Sequence, residues 1–290
     1  MALSSVKNDE KTITRKLWSV SKKLLIYLLL IFITLFMLGP FIWLLSTALK
    51  SGGENIFQYP PKLIPDQVTF TNFVKVMETF PFWRYLFNST IVTVLTVIFN
   101  VLFCSLAAYP LARMYFKGKN IIFILILSTM MIPFQLLMIP IYIMSLNLGL
   151  GNTYAGMVLP HITTAFGVFL MRQAFTVIPK ELDESARIDG ANSFQIWFRI
   201  LMPLVKPSMV TLAIFTFISA WGDFLWPLII VSDQDMYTLP LGLNMLSGTF
   251  TSDWRLIAAG AIISMIPVVL FFLFLQRYFI SGVMKGAVKG

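Results

Sequence analysis

The sequence predicts an all-α polytopic membrane protein with six transmembrane helices and both termini in the cytoplasm. Three observations carry that prediction. The 290 residues are 58% hydrophobic and 12% charged, with a mean hydropathy of +0.81, whereas a soluble domain is roughly 45–50% apolar and about 25% charged. Uncharged runs long enough to cross the hydrocarbon core recur along the chain, and about 20 apolar residues suffice for each crossing. The basic residues gather in alternate connecting segments. So little charge cannot cover a soluble globule, and so much apolar sequence excludes disorder.

The first uncharged run, residues 24–49, is the first span, behind a basic tail at 1–23. It is too long for a signal peptide and no clear small-x-small cleavage site follows it. Residues 50–84 form an extracytoplasmic loop, with Pro60, Pro61 and Pro65 among aromatic residues. The membrane-embedded core then runs over 85–279. Its first run, Tyr85 to Ala112, is the second span. Asn120 to Met171 is uncharged throughout, and as one helix it would be roughly 78 Å long at 1.5 Å per residue, so it must fold back. The turn-rich stretch Ser145 to Thr153 marks the reversal between spans three and four. Span five runs from about Pro207 to Val231, interrupted by Asp223, and span six from Leu256 to Gln276. Residues 280–290 are a C-terminal tail. Pro110, Pro133, Pro140, Pro227 and Pro267 fall in the spans, where each removes an amide donor and can bend its helix.

Charge sets the orientation. The two tails, the 2–3 connection with Arg113, Lys117 and Lys119, and the 4–5 connection hold most of the 22 Lys and Arg residues. The opposite side keeps Lys50, Lys62, Lys75, Arg84 and Arg255. The basic excess belongs on the cytoplasmic side, and the tail lies near anionic lipid. The formal charge of +9 therefore records topology, and nucleic acid is not a partner. One cysteine, Cys104, and one histidine, His161, cannot build a disulfide or a His/Cys metal cage; His161 is read as structural. The chain has no Gly-x-x-x-x-Gly-Lys-Ser/Thr phosphate loop and no acid/base constellation, so it is not an enzyme and binds no cofactor of its own.

The 4–5 connection, residues 178–206, reads as a helix, a turn and a second helix. Glu181, Asp183 and Glu184 occupy the first turn, where the helix dipole favours anions. Asp183 and Arg187 are spaced to pair on one face. Gly190 stands at a left-handed C-terminal cap. Asn192 can cap the next helix, with Gln195 placed for the reciprocal bond. Phe194, Trp197, Phe198 and Leu201 then form an apolar stripe. On the residues alone, a solvated connector and a docking element share this pattern.

The segment resembles the EAA loop of ATP-binding-cassette (ABC) importer permeases through Glu184-Ser185-Ala186, Asp189-Gly190, Ile200 and Pro203. Ser185 replaces the first alanine of that motif, and Met202 its usual leucine. The longer string Ile178 to Ala191 looks like the carbohydrate-uptake branch, of the maltose-permease G-subunit type. Leu111 to Gly118, Phe169 to Gln173, Gln276 to Gly282 and Gly286 to Gly290 are similar to it as well. So is Trp221-Gly-Asp-Phe-Leu-Trp-Pro227, where Gly222 stands in place of the usual asparagine.

The resemblance implies a type I importer permease fold in a bacterial inner or plasma membrane. It implies a second homologous permease subunit, two cytoplasmic ATPase subunits that bind ATP and magnesium, and an extracytoplasmic sugar-binding protein. It gives Glu184, Ser185, Ala186, Asp189, Gly190, Ile200 and Pro203 the coupling to the ATPase. Asp223, an intramembrane carboxylate, is a candidate for the translocation path together with Trp221 and Trp226. Another cargo on the same machinery, such as glycerol phosphate, is the alternative: it would want basic residues in the path, and none lies in these apolar runs, so the partner subunit would have to supply them. An ion-coupled transporter would want more intramembrane ionisable groups or an internal repeat.

Overall fold

The computed structural model describes residues 2–246 and 253–287, and it is built from helices. α1 (Ala2–Ala48) is continuous and starts well before Leu24, because no glycine or proline interrupts residues 2–38. After α2 (Thr71–Thr79) comes α3 (Phe82–Arg113). α4 (Lys119–Ser128) continues as a 3₁₀ turn to Met131, and α5 is Phe134–Asn147. α6 (Tyr154–Val158) continues as a 3₁₀ turn to His161, and α7 is Ala165–Val177. α8 (Glu181–Ile188) and α9 (Ser193–Gln195) lead into a π-helical stretch, Ile196–Leu201, then α10 (Met202–Leu204) and α11 (Lys206–Trp221). α12 (Leu225–Ile230), a 3₁₀ turn at Gln234–Met236, α13 (Leu239–Asn244) and α14 (Trp254–Ala287) complete the order.

Three continuous helical stretches are long and apolar enough to cross a membrane: Ser21–Ala48, Phe82–Arg113 and Trp254–Gln276. Three further candidates are bent pairs. Lys119–Met131 meets Phe134–Asn147 at 102°, Tyr154–His161 meets Ala165–Val177 at 53°, and Ser193–Leu204 meets Lys206–Trp221 at 82°. The expected reversal at 145–153 is present, with Gly149 and Asn152 at positive φ. The bends inside spans three and four are additional. At the first, Pro133 lacks an amide hydrogen and holds Ile132 extended. At the second, Thr164 is an extended N-cap whose hydroxyl accepts from Gly167 N–H. Span five ends early, at Trp221. Gly222 closes α11, and the Asp223 carboxylate accepts from Trp226 N–H at 3.3 Å to start α12. Pro110, Pro140 and Pro267 remain inside their helices.

The chain divides into two compact units. One comprises residues 1–73 and 254–262. There Lys50 and Val68 form an antiparallel bridge, Asn72 Nδ2 donates to the carbonyls of Ala48 and Lys50, and Lys50 Nζ donates to Lys62 O. In the expected first span, the side chains from Leu24 through Leu38 face outward, as lipid contact requires.

The other unit comprises residues 74–253 and 263–290. Its larger core packs Cys104, Ala108, Leu111, Val168, Met171 and Phe175 of α3 and α7 against Ile196, Trp197, Leu201 and Leu212. A second core gathers Val92, Met138, Met157, Trp226 and Ile230. The segment after α12, which joins the expected spans five and six, is folded down on α3. Asn88 Nδ2 donates to Asp235 O and Tyr237 O, Ser89 Oγ accepts from Leu239 N–H, and Arg84 pairs with Asp235 at 2.8 Å. Residues 247–252 of that segment and residues 288–290 of the C-terminal tail lie outside the described residues.

Candidate coupling loop and translocation site

The connection between α7 and α11 forms as a capped helix pair. α8 opens with Glu181, Asp183 and Glu184 in its first turn. It closes in a Schellman motif: Gly190 N–H donates to Arg187 O at 3.0 Å and Ala191 N–H to Ala186 O at 2.9 Å. Gly190 has φ +83°, which only glycine adopts without strain. Asn192 and Gln195 form both halves of the capping box, each bond 2.8–2.9 Å.

The expected sites separate into two sets. Glu184, Ser185, Asp189, Gly190 and Pro203 are exposed. Ala186 is buried in the α3–α7 core, and Ile200 packs against that core. The predicted apolar stripe is split, because residues 196–201 wind as a π-helix rather than an α-helix. Trp197 and Leu201 are buried. Phe194 and Phe198 are 62% and 54% exposed and stack on each other, with centroids 6.1 Å apart. One side of the second helix therefore anchors the loop, and the other presents an aromatic pair outward.

Asp183 does not pair with Arg187. Its carboxylate is taken by Arg113, the last residue of α3, at 2.8 Å from Nε and 2.9 Å from Nη2. Arg113 also donates to the carbonyls of Phe175, Ile178 and Pro179. All five N–H donors of the guanidinium are thus used, and the two side chains are 1% and 8% exposed. A fork that satisfies both carboxylate oxygens is a stronger partner for a buried Asp183 than an exposed Arg187 one turn away. The clamp joins the end of α3, the end of α7 and the start of α8. Sequence reasoning missed it because the partners are 70 residues apart. Nearby, Lys119 Nζ donates to Ala112 O and Met114 O, and Arg172 Nε to Leu111 O. Basic residues read only as orientation signals thus also cap the carbonyl end of α3.

Of the candidate path residues, Asp223 lines a cavity in the second unit. His161 Nε2 lies 3.5 Å from its Oδ2, a contact the sequence did not reveal. Trp221 and Trp226 are buried. Trp221 donates its indole N–H to Ser264 O and stacks on Phe217, while Trp226 donates to Gly156 O. Neither indole is among the cavity's lining residues.

Comparison with known proteins agrees with this architecture. Residues 100–285 match the family described as "Binding-protein-dependent transport system inner membrane component". The chain is 39% identical over 227 residues to the arabinooligosaccharides transport system permease protein AraQ of Halalkalibacterium halodurans, covering 78% of this chain and 81% of that one. It is 37% identical over 256 residues to the melibiose/raffinose/stachyose import permease protein MelC of Bacillus subtilis, covering 87% and 91%. Its fold is similar to a chain in the crystal structure of a bacterial ABC transporter involved in import of the acidic polysaccharide alginate. That match has a TM-score of 0.77 at 27% identity and covers 87% of this chain and 94% of that chain. The chain belongs to the family of binding-protein-dependent transport system inner membrane components, the permease subunits of ABC importers.

Proposed function

We propose that this chain is one permease subunit of a bacterial plasma-membrane importer for sugars or oligosaccharides. It crosses the membrane six times, counting each bent pair as one crossing, with both termini in the cytoplasm. It pairs with a second, homologous permease subunit. Two cytoplasmic ATPase subunits bind ATP and magnesium, and an extracytoplasmic binding protein delivers the cargo. The sugar-permease relatives support the cargo class.

The observation that carries the coupling is the capped helix pair at residues 181–204. It exposes Glu184 and Asp189 outward while Ala186, Ile196, Trp197 and Leu201 root it in the core. A connector that merely spans two helices needs neither the Schellman turn nor a buried guanidinium. In this reading α8 docks on the ATPase, Glu184 supplies charge-assisted contacts there, and Phe194 and Phe198 add apolar area. Closure of the ATPase pair on ATP moves α8. Through Arg113 and the α3–α7 core, that motion biases the bundle between inward-facing and outward-facing states. ATP drives transport only because it favours one of those states over the other. Asp223 borders the path, with Trp221 and Trp226 bracing the helix break beside it.

The test is Glu184→Lys. Charge reversal at this exposed position should leave membrane insertion intact, weaken ATPase docking and abolish ATP-dependent uptake. Normal uptake by the variant would sink the coupling assignment.

A further inference from the structure

Three helix interruptions in the second unit meet at one cavity of about 840 Å³, a volume within the range of small-molecule sites. Phe134 stands just past the 102° bend, His161 and Thr163 lie at the 53° bend, and Asp223 occupies the break between α11 and α12. Broken helices at membrane depth are tolerated where the freed backbone is buried in protein or lines an aqueous cavity. All three breaks here border the same space.

The lining has a specific chemistry. Among the described residues that line it, Asp223 is the sole formally charged side chain, and none is a lysine or arginine. One carboxylate oxygen accepts from Trp226 N–H, and the other faces His161 Nε2, which leaves lone pairs for further donors. Thr163 and Ser219 are exposed at the lining, and their hydroxyls bond to no other described residue. The Phe134 ring packs 4.9 Å from the His161 ring and supplies an apolar flank. A ligand suited to this lining carries many hydroxyl groups, an apolar ring face and no negative charge.

We propose that the cavity is a neutral-sugar subsite within this chain, in which Asp223 accepts from sugar hydroxyls and repels uronates. The proposal rests on the importer reading and deepens it. It sets this subunit apart in cargo charge from the alginate importer whose fold it shares.

The experiment uses the purified importer complex in detergent, without its binding protein, with raffinose and trigalacturonate as paired probes and saturation-transfer NMR as readout. Wild type should transfer saturation to raffinose strongly and to trigalacturonate only weakly. Asp223→Asn should raise the trigalacturonate-to-raffinose ratio by about tenfold, the effect of removing one like charge from a shielded site. Thr163→Trp should fill the cavity and silence both probes while helicity by circular dichroism is retained. A purely structural role for Asp223 would scale both probes alike. An unchanged ratio in Asp223→Asn, or no saturation transfer to raffinose in wild type, overturns the subsite. ATP-driven sugar uptake by the same wild-type complex in vesicles, with its binding protein added, checks the importer reading separately. Persisting uptake with an unchanged ratio removes the subsite alone, whereas no ATP-driven uptake of any sugar removes the importer reading.

Discussion

Arg113 and Asp183 form a buried ion pair, and such pairs are defined less by what they add than by what their loss leaves behind. Arg113→Met would strand a carboxylate that is 8% exposed, at a cost of about 3–5 kcal/mol. The solubilised protein should therefore inactivate at a clearly lower temperature. Replacing both partners, as Arg113→Met with Asp183→Leu, should recover most of that loss, because no buried charge remains. Uptake should stay impaired in the double variant, since the joint between α3 and α8 is gone. Full transport in it would remove Arg113 from the coupling route. At this scale legibility follows sequence distance. The Gly190 turn and the Asn192–Gln195 box are local chemistry and could be read directly. The Arg113 fork depends on the fold bringing α3 to the loop, so the nearer Arg187 looked the better partner.

At the scale of elements, α7 packs tightly on α3 at Gly167. A Cβ there would lie 2.5 Å from Cys104 Sγ, so Gly167→Ala must displace the thiol or push the helices apart, costing about 1–3 kcal/mol. Thermal inactivation of the variant measures this. Adding Cys104→Ala removes the sulfur and should return part of the loss. Helix ends and bends were partly legible. Pro133 breaks its helix as the proline rule suggests, yet Pro110, Pro140 and Pro267 do not. Proline shows where a helix can bend, and packing decides whether it does. The π-helical stretch at 196–201 was not legible, because Phe194, Trp197, Phe198 and Leu201 fit an ordinary helical period. Only burial reveals that Trp197 and Leu201 turn inward alone.

For the whole molecule, composition and charge placement were enough to predict a polytopic helical membrane protein. They did not reveal that three candidate crossings are bent helix pairs, or that residues 232–246 fold back onto α3. The fold-back arises from Asn88 and Ser89, polar residues that read as ordinary parts of an apolar run until their partners appear. Orientation has a direct check: a protease site placed after Gly290 should be cut from the cytoplasmic side and protected from the other. Cleavage from the outer side would invert the topology. The clamp at the end of α3 also bears on rates. Since all five donors of Arg113 are engaged, it has no spare bond with which to step toward a new partner. Any rearrangement at this joint must first strand several donors at once. Movement there is all-or-none, behind a barrier set by how many bonds break together, so the joint acts as a latch rather than a spring.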